Sequence, residues 1–291
     1  MSVIVGVHGI AQQYKGGNAL RNEWLPALRD GLEEAGHQDL SDGFRDTDLK
    51  VSFFGSLFRP KGAMGADFPP YTAEDLMSEL EVDLLTDLYN QAVLDDPRLG
   101  PPVGSLSRVR VSVQLMVERL LRSRAFAGLI PERAFVGSLK QVILFLTDTA
   151  VKDSVLARVH DTIGGDTRAL VGHSLGSIVT YEYLCKYQPS QVEVLVTLGS
   201  PLGIRNVIFD RLTPTPGAAG GVWPGAVSSW VNVADPKDVV ALRKDLQPLF
   251  TPPAGTKPID DRRVDVGGFS HHRVGSYLNA EETGSALAQA L

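Results

Sequence analysis

Ala169-Leu170-Val171-Gly172-His173-Ser174-Leu175-Gly176-Ser177-Ile178-Val179 is the stretch on which the reading of this chain turns. An apolar run feeds a Gly-x-Ser-x-Gly turn, and an apolar helical pattern begins directly afterwards. A strand-to-helix turn this tight holds its serine at a strained backbone angle and exposes the hydroxyl. The positions beside the serine must be small, because strand and helix backbones pass close by. Gly172 and Gly176 meet that need, which makes Ser174 the candidate nucleophile. The plainer alternative is a glycine-bounded turn whose serine caps the helix.

Outward from this junction, strands and helices alternate at both ends of the chain, the pattern of a mostly parallel sheet flanked by helices. The expected strands are Val3 to Val7, Leu49 to Phe54, the run ending at Leu170-Val171, Val192 to Leu198, Ser228 to Val233 and Arg263 to Val266. Leu20, Trp24, Leu25, Leu28 and Leu32 fall at helical spacing, with Gly36 as a stop. A closing helix is expected over Glu281 to Leu291, with good formers but few anchors. The fold class is therefore α/β, with residues 1–291 read as one domain.

The middle breaks this rhythm. About a hundred residues separate the second and third strands, where one crossover helix would suffice. Leu76, Leu80, Leu84 and Leu88 recur every four residues, and a second pattern follows at Leu106, Val109, Val113, Met116 and Leu120. The first pattern carries Glu74, Asp75, Glu79, Glu81, Asp83 and Asp87, and the second Arg108, Arg110, Arg119 and Arg122, so the two suit each other as neighbours. Val142 to Leu146 is a further apolar segment, ahead of a crossover helix near Val151 to Val159. Residues 60–147 read as a helical insertion before the nucleophile strand. It either lids a cleft or simply packs on one flank.

Composition narrows the classes. The 291 residues carry 28 basic against 34 acidic side chains, a formal charge of −6, which argues against a nucleic-acid-binding surface. Cys185 is the single cysteine, so there is no internal disulfide or cysteine-rich metal site; on the helix after the turn it reads as a small buried apolar residue. There is no signal-peptide pattern and no apolar run of transmembrane length, so a cytoplasmic protein is expected.

A serine hydroxyl needs a base, usually a histidine oriented by a carboxylate. In the α/β-hydrolase arrangement, which the strand, Gly-x-Ser-x-Gly turn and helix resemble, the chain order is serine, acid, histidine. The acid is sought in Ala234-Asp235-Pro236-Lys237-Asp238-Val239-Val240-Ala241, just beyond a strand end. Asp235 is nearer the strand, but Asp-Pro is also a common turn opener. Asp238 precedes an apolar pair able to anchor the loop and is favoured, leaving the other aspartate as a turn or cap residue. The base is sought at His271 or His272, the only two of the six histidines that follow the acid. Adjacent histidines point in different directions; His272 is preferred, with Tyr277-Leu278 anchoring the turn. The other histidines form no metal-ligand spacing, so no metal and no organic cofactor is expected. The oxyanion donors are the amide of Leu175, directly after the serine, and that of Ile10, beyond a strand end at His8-Gly9. In the loop Pro214 to Gly225, rich in glycine and proline, Trp223 is a candidate for lining the mouth of the site.

These segments together resemble the α/β-hydrolase superfamily, and within it the lipase-like branch. Val7-His8-Gly9-Ile10 is similar to the His-Gly-x oxyanion segment of many lipases, and Gly172-His173-Ser174-Leu175-Gly176 to their elbow. Thr197-Leu198-Gly199-Ser200-Pro201-Leu202-Gly203 resembles a segment after the next strand in several lipase families. Asp238-Val239-Val240-Ala241 resembles the acid-bearing segment of fungal-type lipases and intracellular phospholipases, which tips the choice to Asp238. The resemblance covers residues 1–12 and about 165–280. It departs from the family in lacking the early strands of the full fold and in placing its helical insertion before the nucleophile strand. It implies an α/β-hydrolase fold and a serine esterase acting on a small-molecule or lipid-like carboxylic ester through Ser174, Asp238 and His272. A thioesterase, acyltransferase, amidase or peptidase would use the same residues. A non-catalytic binding module on this scaffold is the alternative from another class.

Overall fold

A computed structural model describes residues 3–59, 69–100, 109–123, 126, 130–267 and 271–291. Six strands, β1 (Ile4–Val7), β2 (Leu49–Ser52), β3 (Ala169–His173), β4 (Val194–Leu198), β5 (Ser229–Ala234) and β6 (Asp260–Arg263), form one sheet in the order β2-β1-β3-β4-β5-β6. Every neighbouring pair is parallel. The helices among the described residues are α1 (Gly17–Glu34), α2 (Gln38–Gly43), α3 (Glu79–Asp95), α4 (Val109–Arg122), α5 (Glu132–Thr147), α6 (Thr149–His160), α7 (Leu175–Tyr187), α8 (Val274–Leu278) and α9 (Glu281–Leu287). The protein is an α/β protein, as the alternation predicts.

The central strands are apolar on both faces because helices cover both. Their side chains divide with period two. Val5, Val7, Leu170, Leu195 and Trp230 enter a core with residues of α3 to α7. Ile4, Val171, Val196, Leu198, Val231 and Val233 face the opposite core, with α1, α8 and α9. The helix α7 is buried from Leu175 to Cys185, so it has no solvent stripe, and Cys185 is part of its apolar surface. Among the described residues no single helix is long and apolar enough to cross a membrane.

This strand order sets where a ligand can go. The chain leaves β1 for the β2 edge, then returns to β3 beside β1 and proceeds to the other edge. Between β1 and β3 the connections diverge, opening a crevice at the carboxyl ends of the two strands. His8-Gly9-Ile10 leaves β1 at that point and Ser174 leaves β3.

Two sequence expectations need correction. The sixth strand lies at Asp260–Arg263, three residues before the segment Arg263 to Val266. As an edge strand it is held by backbone pairing to β5 and needs no apolar side chains, while Val264 and Val266 pack after it against the second core. The closing helix stops at Leu287, and its Gly284 meets the Gly31 carbonyl of α1 so closely that an added Cβ would have no room.

In the middle segment, Val142 to Leu146 is the end of the longer helix α5, and α6 contains Val151 to Val159 after a 94° bend. The helices α3 and α4 are neighbours through Arg119 Nη1, which donates to Tyr89 Oη at 3.0 Å. Glu81 of α3 pairs with Lys140 of α5 at 2.9 Å and closes the capping box of Ser78. Leu106 and Arg108, and the side chains of Val109 and Arg110, lie outside the described residues.

Candidate active site

Ser174 sits between β3 and α7 with φ 54° and ψ −127°, a backbone conformation that costs an L-residue on the order of 1–3 kcal/mol. The surroundings enforce it. Its N–H donates to Leu198 O at 3.0 Å. A Cβ on Gly176 would fall 2.0 Å from Val7 O, and one on Gly172 2.5 Å from Thr180 Oγ1. Only glycines allow β1, β3 and α7 to meet here. This is the geometry expected of a strained strand-to-helix turn rather than of a serine cap, and Ser174 makes no side-chain cap bond.

The two candidate acids and two candidate bases resolve into two separate pairs. His272 Nδ1 donates to Asp238 Oδ2 at 2.7 Å, and His271 Nδ1 approaches Asp235 Oδ2 at 2.9 Å. The Asp238 pair belongs with Ser174: His272 and Ser174 line one cavity of about 1020 Å³, together with His8, Gly9, Ile10 and His173. With Nδ1 committed to Asp238, His272 Nε2 is left as the proton acceptor. It is buried and has no hydrogen-bond partner, Ser174 Oγ included. Such bonds are often long in ligand-free serine enzymes and tighten when substrate binds.

Burial pushes the Asp238 carboxyl upward, but His272, the Tyr277 hydroxyl and Lys244 outweigh it and hold the group below the usual carboxylate range. Tyr277 Oη donates to Oδ2 at 2.7 Å, Val240 N–H donates to Oδ1 at 2.9 Å, and Lys244 Nζ binds the Asp238 carbonyl. Asp238 is therefore a fixed anion. His173, next to Ser174, donates from Nε2 to His272 O at 3.2 Å, and the two rings lie 4.7 Å apart. Burial, then the nearby His272, push His173 down to about 3, so it stays a neutral donor.

Asp235 opens the turn after β5, and it does more. Its Oδ1 accepts from Lys237 N at 2.7 Å, and its Oδ2 accepts from Val266 N at 3.0 Å in addition to meeting His271. Asp235, Asp265 and His271 bring metal-type ligand atoms within 4.8 Å of one another. Protein hydrogens already occupy Asp235 Oδ2, and Lys237 Nζ stands 4.0 Å from Asp265. The cluster is thus accounted for as a brace of the loop that carries His272.

The proposed oxyanion donors lie on either side of the serine. Leu175 N–H is the first amide of α7 and has no partner within that helix. Gly9 abuts Ser174: a Cβ there would fall 2.8 Å from Ser174 Cβ. The Ile10 amide is the next one along and enters no hydrogen bond among the described residues.

Trp223 does not line this cavity. It is a core residue whose ring packs 5.5 Å from Trp230 and whose Nε1 donates to Val227 O at 2.8 Å. Its indole N–H is satisfied inside the loop, so the aromatic ring in a flexible-looking segment marks packing.

Sequence reading gave no separate role to Gly199 or Gln141. Gly199 has φ 51°, and a Cβ there would lie 2.8 Å from Asp238 Oδ2 and 3.1 Å from His272 Nδ1. Its place after β4 was the available signal.

Comparisons with protein-family models, with characterised proteins and with solved structures find no match to this chain. A parallel α/β sheet hosts many chemistries, so the functional argument rests on the site.

Proposed function

We propose that this protein is a serine hydrolase of the α/β-hydrolase type that cleaves a carboxylic ester with an apolar acyl part. One observation carries the reading: an Asp238-paired His272, its Nε2 unpartnered, opens on the same cavity as a serine held in a strained turn. Ser174 Oγ attacks the ester carbonyl carbon as His272 Nε2 takes its proton. Asp238 stabilises the imidazolium, and the amides of Ile10 and Leu175 receive the negative oxygen of the tetrahedral intermediate. The bond to the alcohol then breaks, and His272 returns the proton to the leaving oxygen. Water attacks the acyl-serine, again giving a proton to His272, and Ser174 recovers it as the acid departs.

The apolar acyl part follows from the cavity wall. Leu84 and Leu88 of α3, Phe135, Leu139 and Val142 of α5, and Ile208 line it on the side of the helical segment. Burying each methylene of a substrate there is worth about 0.8 kcal/mol.

Intact-mass detection of a fluorophosphonate adduct tests the reading, with Ser174→Ala as the control. A single adduct that vanishes in the variant, followed by turnover of p-nitrophenyl esters, is the expected result. A folded protein that takes no adduct would refute the mechanism.

A further inference from the structure

The segment Gly9-Ile10-Ala11 is gripped from two sides, and the grips determine where its amides point. On the sheet side, Phe54 N–H donates to His8 Nε2 at 3.2 Å. That nitrogen is then an acceptor, so the ring proton sits on Nδ1. Nδ1 lies 2.6 Å from Gly9 O and donates to it. A peptide unit is planar and trans, with its C=O and N–H pointing in opposite directions. Fixing Gly9 C=O on the buried His8 ring therefore turns Ile10 N–H away from that ring, toward the cavity that Ile10 lines beside Ser174. The His8 ring cannot swing out of register, because it stacks on Phe54 at 4.0 Å. Burial pushes His8 down to about 4, so the neutral tautomer persists at ordinary pH.

From the helical side, Gln141 of α5 reaches the same segment. Its Oε1 accepts from Ala11 N at 3.2 Å, and its Nε2 donates to Gln13 Oε1 at 3.2 Å. Ala11 holds φ 62°, a left-handed conformation unfavourable for alanine. Such strain persists only when the surroundings over-determine it. Gln141 is a buried amide, 7% exposed, with both ends engaged on this loop.

We infer that His8 and Gln141 are positioning residues that aim the Ile10 amide at the oxyanion, which makes α5 a working part of the reaction centre as well as a wall of its cavity. This inference rests on the serine-hydrolase reading above. It assigns to each residue an effect on the transition state that exceeds its effect on substrate binding, because the oxyanion exists only after attack.

The test uses the full chain with His8→Phe, Gln141→Met and Gln141→Glu. Phenylalanine keeps the ring stack and removes both nitrogens. Methionine keeps length and volume, whereas glutamate keeps the acceptor for Ala11 N–H. Deleting an oxyanion donor outright costs about 10²–10³ in kcat; misaiming one should cost about tenfold or more in His8→Phe and Gln141→Met. KM should stay within about twofold, and affinity for an alkyl boronic acid, which forms a tetrahedral adduct on Ser174, should fall in parallel with kcat. Gln141→Glu should recover most of the loss. Unchanged kcat and boronate affinity in both deletion variants would overturn the inference, as would losses in Gln141→Glu equal to those in Gln141→Met. Wild-type protein that takes no fluorophosphonate would instead remove the hydrolase reading itself. Labelled wild type with unaffected variants removes only the positioning roles.

Discussion

Tyr277 Oη and His272 Nδ1 converge on one oxygen, Asp238 Oδ2, each at 2.7 Å. The tyrosine also accepts from Asp235 N at 3.0 Å, so a single buried phenol ties the loop beyond β5 to α8. Burial, the Asp238 charge and the hydrogen bond to Asp238 raise the phenol against the lowering effect of the Asp235 N–H, which keeps it a neutral donor.

Tyr277→Phe should therefore lower kcat about tenfold, the scale of one hydrogen bond to a charged group. Steady-state kinetics on the folded variant read this directly. An unchanged kcat would mean that Tyr277 serves packing alone.

Gly199→Ala should disable the pair without removing either member. The residue lies at φ 51°, and its new Cβ would sit 2.8 Å from Asp238 Oδ2 and 3.0 Å from Tyr277 Cε2. The left-handed conformation costs roughly 1–2 kcal/mol for alanine, and the contact forces the carboxylate away from His272. The expected outcome is a folded protein with a melting temperature a few degrees lower, by the usual relation of about 1 kcal/mol to 2–4 °C at this size. Its kcat should be reduced about a hundredfold. Full activity in this variant would show that the acid–base pair tolerates displacement.

How much of this was readable in the chain depended on where specificity lies. The central strands were legible because Val-rich runs buried on both faces leave a continuous apolar signal. The edge strand β6 was misplaced because Asp260-Asp261-Arg262-Arg263 contributes backbone pairing, with Asp261 accepting from Leu246 N at 2.9 Å and Gln247 N at 2.8 Å. Of the helix α5 only the apolar segment Val142 to Leu146 stood out, since Ala134, Gly137 and Ser138 dilute the apolar pattern of its first half although all but one residue from Ala134 to Val142 is buried. Ser174 could be read locally, because its constraint is a tight turn between neighbouring residues. The acid–base partnership could not be decided from spacing: two aspartates three apart and two adjacent histidines permit either pairing. Tertiary placement matches Asp238 with His272 and Asp235 with His271. Gln141 lay beyond reach for the same reason, being 130 residues from the amide it holds.

Two buried histidines make acid stability a sensitive readout. Burial is the main cause that places His8 at about 4 and His173 at about 3, against an ordinary value of 6.5. As pH falls below about 6.5, the unfolded chain binds a proton at each ring while the folded protein does not, so stability falls with pH. At about pH 5 the loss is on the order of 2 kcal/mol per ring. Asp238 acts in a lower window: its folded value is depressed, so its contribution is intact above the ordinary carboxylate value and is lost only as pH falls further. Urea unfolding of wild type and His8→Phe at neutral and mildly acidic pH measures the first effect. The neutral-to-acid difference should shrink by about 2 kcal/mol in the variant. An unchanged difference would mean that His8 titrates normally in the folded protein.

Ala134→Phe addresses the acyl wall. Ala134 lies in the first turn of α5, is buried, and lines the cavity together with Phe135 and Ser138. Its methyl group marks space that a phenyl ring would fill. In the wild type, kcat/KM on p-nitrophenyl esters should rise with chain length by at most about fourfold per methylene, the equivalent of 0.8 kcal/mol, until the apolar arm is full. The variant should keep acetate turnover within about threefold, since Ser174, His272 and Asp238 are untouched. It should lose the gain for octanoate and longer chains by about tenfold or more, because overpacking costs roughly 1–3 kcal/mol and the arm is shorter. Equal losses on acetate and octanoate would place the acyl chain elsewhere in the cavity, leaving the arm beneath α3 and α5 to the leaving alcohol.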